Sequence, residues 1–115
     1  MTEEKINVSD EIIAVCAVNA ALKTDGVASM DGGITNTLSR NILGRELVSK
    51  GVKVDRDKKN DIIVDVHIIV RYGCKIPAVA WDIQENVKKE IREMTGQNVK
   101  AVNIHVQGVK TDDTK

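Results

Sequence analysis

Between residues 61 and 71 the chain reads DIIVDVHIIVR, an alternation of period two. Ile62, Val64, Val66, Ile68 and Val70 fall on one face of an extended strand, and Asp61, Ile63, Asp65, His67, Ile69 and Arg71 fall on the other. The first face reads as core. The second is mixed, with Ile63 and Ile69 set among polar side chains, which makes it a candidate contact surface. A second β-rich run, GVKVDR, precedes it across the charged turn DKKND, so the pair reads as a hairpin.

Helical spacing governs two other segments. A helix is expected over residues 10–23, with Ser9 as N-cap, Asp10 and Glu11 at its positive end and Gly26 beyond its stop. At 100° per residue Ile12, Ile13, Cys16 and Ala20 share one face, while Val15, Val18 and Leu22 occupy another. This helix is apolar nearly all round, and four alanines allow close approach of a neighbour. It therefore calls for its own sheet on one side and a second neighbour, from this chain or another, on the other. A second helix is expected over residues 77–95, opened by Pro77 and closed by Gly96, with Ile76, Ala80, Ile83, Val87, Ile91 and Met94 as its stripe. Lys88, Lys89, Glu90, Arg92 and Glu93 cover its outside.

Short strands complete the pattern. GVASMDG leaves the first helix, and NVKAVNIHVQGV turns Val102, Ile104 and Val106 inward with Asn103, His105 and Gln107 outward. Each helix ends in a Thr and a Gly that feed a strand, a likeness attributed to shared turn chemistry rather than duplication. Residues 33–51 lack clean periodicity and read as a long connection, with a turn of helix around 35–42 and a local basic surface from Arg40, Arg45 and Lys50. The order α-β-β-β-α-β predicts an α+β fold, a two-layer sandwich whose mostly antiparallel sheet carries both helices on one face. One domain is expected over 6–109, followed by a disordered tail over 110–115.

Composition narrows the function. The chain has 115 residues with 42% hydrophobic and 30% charged, as one ordinary globular domain would. Aromatics supply only 2%, so the core must be aliphatic. Seventeen Lys and Arg balance seventeen Asp and Glu, which argues against nucleic acid or an anionic membrane as the partner. Cys16 and Cys74 stand far apart outside any CxxC, as free thiols in a reducing cytosol would. The polar start MTEEKINVSDE argues against a secretory signal, and no apolar run is long enough to insert in a bilayer. A cytoplasmic location follows, with any recruitment to the membrane left to a partner.

No nucleophile elbow, dinucleotide fingerprint, phosphate loop or zinc-protease motif is present, and no enzyme is expected. His67 and His105 form the one tempting metal pair if their strands are neighbours, but they read better as solvated strand residues, and no metal or cofactor is expected. Cys74 lies beside Lys75 without a positioned base. RNA or small-ligand binding through the basic loop 33–51, with Arg40 and Arg45, is the alternative function, though a GXXG loop and stacking aromatics are missing.

Trp81 departs from this plain picture. It lies about 130° from the stripe of the second helix, so it either covers the sheet edge or the 33–51 connection, or it anchors an interface. Tyr72 and Cys74 share the turn before that helix. The candidate interface residues are thus Trp81, Tyr72, Ile63, Ile69, Arg40 and Arg45.

VSDEIIA (8–14), VSKGVKV (48–54), VRYGCKIPAVAWDIQENV (70–87) and VNIHVQGV (102–109) together resemble the alkaline shock protein family of Gram-positive bacteria. The likeness spans about residues 6–109, and Cys74 is the one departure noticed. The resemblance implies a small, non-enzymatic cytosolic protein linked to envelope or general stress, acting by self-association or through a partner, a membrane-anchored one included. It brings no catalytic residues.

Overall fold

The long alternating strand is the centre of the molecule. The computed structural model describes residues 3–31, 39–40, 47–49 and 51–111, with the backbone alone for 3–9, 39–40 and 47–49. Its elements are α1 (Glu3–Leu22), β1 (Val27–Met30), β2 (Ser39–Arg40), β3 (Leu47–Ser49), β4 (Val52–Arg56), β5 (Ile62–Arg71), α2 (Ile76–Thr95) and β6 (Val99–Lys110). The α+β class and the order α-β-β-β-α-β hold, with two short strands added within the 33–51 connection.

β5 pairs along one edge with β6 over its whole length, in parallel. Its other edge is shared. β4 pairs antiparallel with residues from Ile62 to Val66, and β1 pairs antiparallel with residues from Ile68 to Val70. β3 and β2 extend the sheet beyond β4, both antiparallel. Among the described strands only β5 and β6 run parallel, because α2 carries the chain back along the sheet between them. The turn of helix expected around 35–42 is replaced at Ser39–Arg40 by a strand pairing with β3, which supplies partners for its backbone groups. The rest of that turn lies outside the described residues. β6 continues to Lys110, one residue into the expected tail.

All five even-numbered apolar positions of β5 from Ile62 to Val70 are buried, as are Val52, Val54 and Val102. α2 covers them with Val79, Ile83, Val87 and Ile91, spaced four apart throughout. Ile76 and Met94, expected in this stripe, sit at the two ends of the helix and are exposed. Pro77 lies in the first turn. Gly96 caps the other end in the left-handed region at φ 76°, its N–H donating to the Arg92 carbonyl.

α1 begins at Glu3 rather than at residue 10, since Glu and Lys at its start extend the helix and nothing there breaks it. Ser9 therefore lies inside the helix and not at the N-cap position expected for it. Asp10, expected at the helix start, is buried at 1% exposure. Its Oδ1 accepts Arg56 Nη2 at 3.0 Å and Nε at 3.3 Å, tying α1 to β4. Ile13, Ala14, Cys16, Ala17, Ala20 and Ala21 form the buried face of α1. At the turn into β1, Gly26 adopts φ 95°, and a Cβ there would meet Val79 Cγ2 at 2.5 Å.

The two helix-to-strand junctions share a device. Thr24 Oγ1 donates to the Ala20 carbonyl and Thr95 Oγ1 to the Ile91 carbonyl, each four residues back. The strands they feed run in opposite senses against β5, so the likeness is turn chemistry, as expected.

Candidate interaction surfaces

A helix whose polar positions face water has no use for a large aromatic among them. α2 holds Trp81 on that side at 61% exposure, with Asp82, Glu85 and Lys88 exposed nearby along the helix. Neither the sheet nor another described segment covers it. Tyr72, in the turn after β5, is 74% exposed, while its backbone N–H donates to the Lys110 carbonyl and closes the end of the sheet.

Ile63 and Ile69 are half-buried on the face of β5 turned away from the helices. They therefore lie on the opposite layer from Trp81, and the candidate residues do not converge on one patch. Arg40 belongs to β2, with its side chain outside the described residues, and Arg45 lies outside them entirely. The alternative basic-loop surface falls largely there too.

The open sheet face brings the two histidines together. The register pairs His67 with His105, and their rings stack 4.5 Å apart at 12°. His67 Nδ1–H donates to the Gly51 carbonyl, and His105 Nε2–H donates to Asp65 Oδ1 at 3.0 Å, which also accepts Asn103 Nδ2. Stacked rings hold their nitrogens in parallel planes instead of aiming them at one point. Among the described residues no group of three His, Cys, Asp or Glu is placed to hold a metal ion.

Cys16 is buried, and its thiol pKa is raised by burial first and by Glu90 second, which makes it a poor nucleophile. On α2, Glu85, Lys88, Lys89, Arg92 and Glu93 line a shallow groove with Asn98 and Val99. Its mixed charges at helical spacing are those of a solvated face.

The second apolar face of α1, expected at Val15, Val18 and Leu22, is open at Val15 and Leu22 and half-buried at Val18. Ile12, Val15 and Leu22 are exposed on the side of α1 away from the core, and Met94 of α2 is 65% exposed. Ile12, Val15, Cys16, Asn19 and Met94 line a groove of about 350 Å³ between the helices, rimmed by Glu11 and Glu90. Ile12 belongs to this outer stripe rather than to the face of Ile13. The 3–4–3 spacing of Ile12, Val15, Asn19 and Leu22 carried the signal that moves Ile12 onto this stripe.

No helix among the described residues is long and apolar enough to cross a membrane. The sequence profile of the alkaline shock protein 23 family, described by a cell envelope-related function, matches residues 1–111. The chain is 38% identical over 109 residues to the uncharacterized protein YqhY of Bacillus subtilis, covering 94% of this chain and 78% of that one. It is 40% identical over 108 residues to the uncharacterized protein YloU of the same organism, covering 92% and 88%. A stress response regulator gls24 homolog of Streptococcus pyogenes is 28% identical over 109 residues, covering 95% of this chain and 60% of that one. No solved structure matches. The resemblance read from the four sequence segments is thus matched over almost the whole chain, and the protein belongs to the alkaline shock protein family of Gram-positive bacteria, with a cell envelope-related function.

Proposed function

We propose that this protein is a non-catalytic cytoplasmic interaction module that serves the cell envelope under stress, through self-association or by docking a protein partner, including one anchored in the membrane. The observation that carries this reading is Trp81, held 61% exposed on the polar face of a rigid helix. Burying a tryptophan against a partner repays its exposure, and such residues dominate binding energy in known interfaces. The family description supplies the setting, and the stress-response name of a relative supplies the circumstance.

Trp81 is the only tryptophan in the chain, so its fluorescence reports directly on its cover. Titrating a partner recovered from the host envelope fraction should shift the emission to shorter wavelength as water leaves the indole. Trp81→Ala should weaken that partner's binding by at least about thirtyfold, the equivalent of about 2 kcal/mol for an interface anchor. A variant that binds every recovered partner as tightly as the parent protein would sink the reading.

A further inference from the structure

The outer face of α1 carries apolar side chains that the other described residues leave uncovered. Ile12, Val15, Asn19 and Leu22 follow one another at steps of three, four and three residues, the a and d positions of a heptad seam. Their mean direction lies about 150° from that of the buried face made by Ile13, Ala17 and Ala20. Val15 is 59% exposed, and Ile12 and Leu22 are also open to solvent. A seam of this kind is completed by a second helix with the same spacing.

We propose that α1 pairs with α1 of a second copy of this chain, antiparallel about a two-fold axis, with each helix leaning into the groove between α1 and α2 of its mate. This deepens the reading of the protein as an interaction module and rests on it, by naming one partner as the protein itself. The two-fold arrangement packs Ile12 against Leu22 of the second copy and Val15 against Asn19, each layer occurring twice. Asn19 lowers the stability of the seam while fixing its register, as a single polar residue at such a position does.

Charge selects the partner and the direction. Among the described residues the groove is rimmed by Glu11 and Glu90 and lined by no basic one, whereas Lys23 stands exposed at the far end of α1. Glu90 sits beside Cys16, close enough to raise its thiol pKa. In the antiparallel pairing, Lys23 of each copy flanks Cys16 of the other and reaches this carboxylate. A parallel pairing instead sets Glu11 of one copy towards the Cys16 and Glu90 side of the other, acid against acid. A single chain thus provides both the anionic groove and the cation that fits it.

Sedimentation velocity on the purified full chain, from low to high micromolar concentration, tests the seam. The parent protein should move from monomer to dimer, and Val15→Glu should stay monomeric throughout, with a circular dichroism spectrum and melting temperature that match the parent's at dilutions where both are monomeric. Lys23→Glu and Glu90→Lys should each weaken the dimer about tenfold or more, and the double variant should recover most of the loss. A monomer at every concentration overturns the seam, even where Trp81 still recruits another protein, so the wider reading survives that failure. A dimer that persists in Val15→Glu overturns it equally, because association then uses another surface. Failure of the charge reversal to restore the dimer overturns the antiparallel register.

Discussion

α1 and α2 are each 20 residues long and pack side by side on one face of one sheet, yet they bury themselves by opposite means. α2 is a one-sided helix. Four branched aliphatic residues point into the core, its outer face is polar, and Gln84 reaches β6 to donate to the Val102 carbonyl. α1 points mostly alanines inward and aliphatic residues outward. Small inward side chains bring its backbone close to its neighbours, but they remove little apolar area from water. The Asp10–Arg56 pair supplies a fixed attachment, while the outer stripe stays unspent. A helix built like α2 spends its aliphatic stripe on its own sheet and leaves Trp81 standing alone on its polar face, whereas one built like α1 has a whole apolar stripe to offer elsewhere.

The largest effect expected bears on that attachment. Arg56→Ala removes the guanidinium from a carboxylate buried at 1% exposure, and breaking such a pair costs about 3–5 kcal/mol. The lower end is expected, because Arg56 itself keeps some contact with solvent. Urea denaturation read by circular dichroism measures it, and Asp10→Leu added to Arg56→Met should recover most of the loss. A cost under about 1 kcal/mol would mean that the Arg56 contact adds little to holding α1, and the contrast in attachment would vanish.

A second pair of substitutions compares the two helices directly. Ile83 is fully buried, so Ile83→Ala should lose about 2–5 kcal/mol of unfolding free energy. Val15→Ala, measured at a dilution where the chain is monomeric, should stay within about 0.5 kcal/mol of the parent, as exposed positions do. Equal losses would show that something within the chain covers the outer stripe of α1.

The same contrast explains what could be read from the sequence. The period-two run of β5 and the hairpin before it are local patterns, and they identified the inward positions of the core strand correctly. α2 was nearly as legible, because a single aliphatic stripe with Pro at one end and Gly at the other admits one reading. Its end residues Ile76 and Met94 were assigned to the core, since a helical wheel does not know where the supporting sheet stops. α1 was harder. Its Ser-Asp-Glu cap signal lies inside a longer helix, and Asp10 looked like a helix-start residue when it is a buried ion-pair partner 46 positions from Arg56. No local pattern announces a contact at that separation. Trp81 was legible as off the stripe, but whether the connection covered it depended on tertiary placement. Likewise the meeting of His67 and His105 required the parallel return of β6, which spacing alone does not fix.

The smallest effect expected concerns the end of the sheet where neither helix supplies the contacts. Asp57 Oδ1 accepts the N–H groups of Lys59 and Asp61, both at 2.9 Å, and Oδ2 accepts Lys100 Nζ at 2.7 Å, so one carboxylate joins the β4–β5 turn to the start of β6. The Lys100 hydrogen bond is the chief cause that holds the Asp57 pKa down at about 2 against an ordinary 3.8, with the Asp61 N–H next. Because the folded value is the lower one, the unfolded chain binds the proton more readily. The stabilisation is therefore complete above the ordinary carboxylate range and is lost as pH falls from about 4 to about 2. Lys100 is shifted up by the same pair, so its share is present at neutral pH and disappears only when pH rises past the ordinary lysine range. Asp57→Asn should flatten the acid limb, and the parent and variant melting temperatures should converge as pH falls from about 4 to about 2. Amide hydrogen exchange at Lys59 and Asp61 should report the loss first, since both donate to the carboxylate being protonated. Parallel pH profiles for the two proteins would show that the turn holds without Asp57, and that β6 is fixed at this end by its pairing with β5 alone.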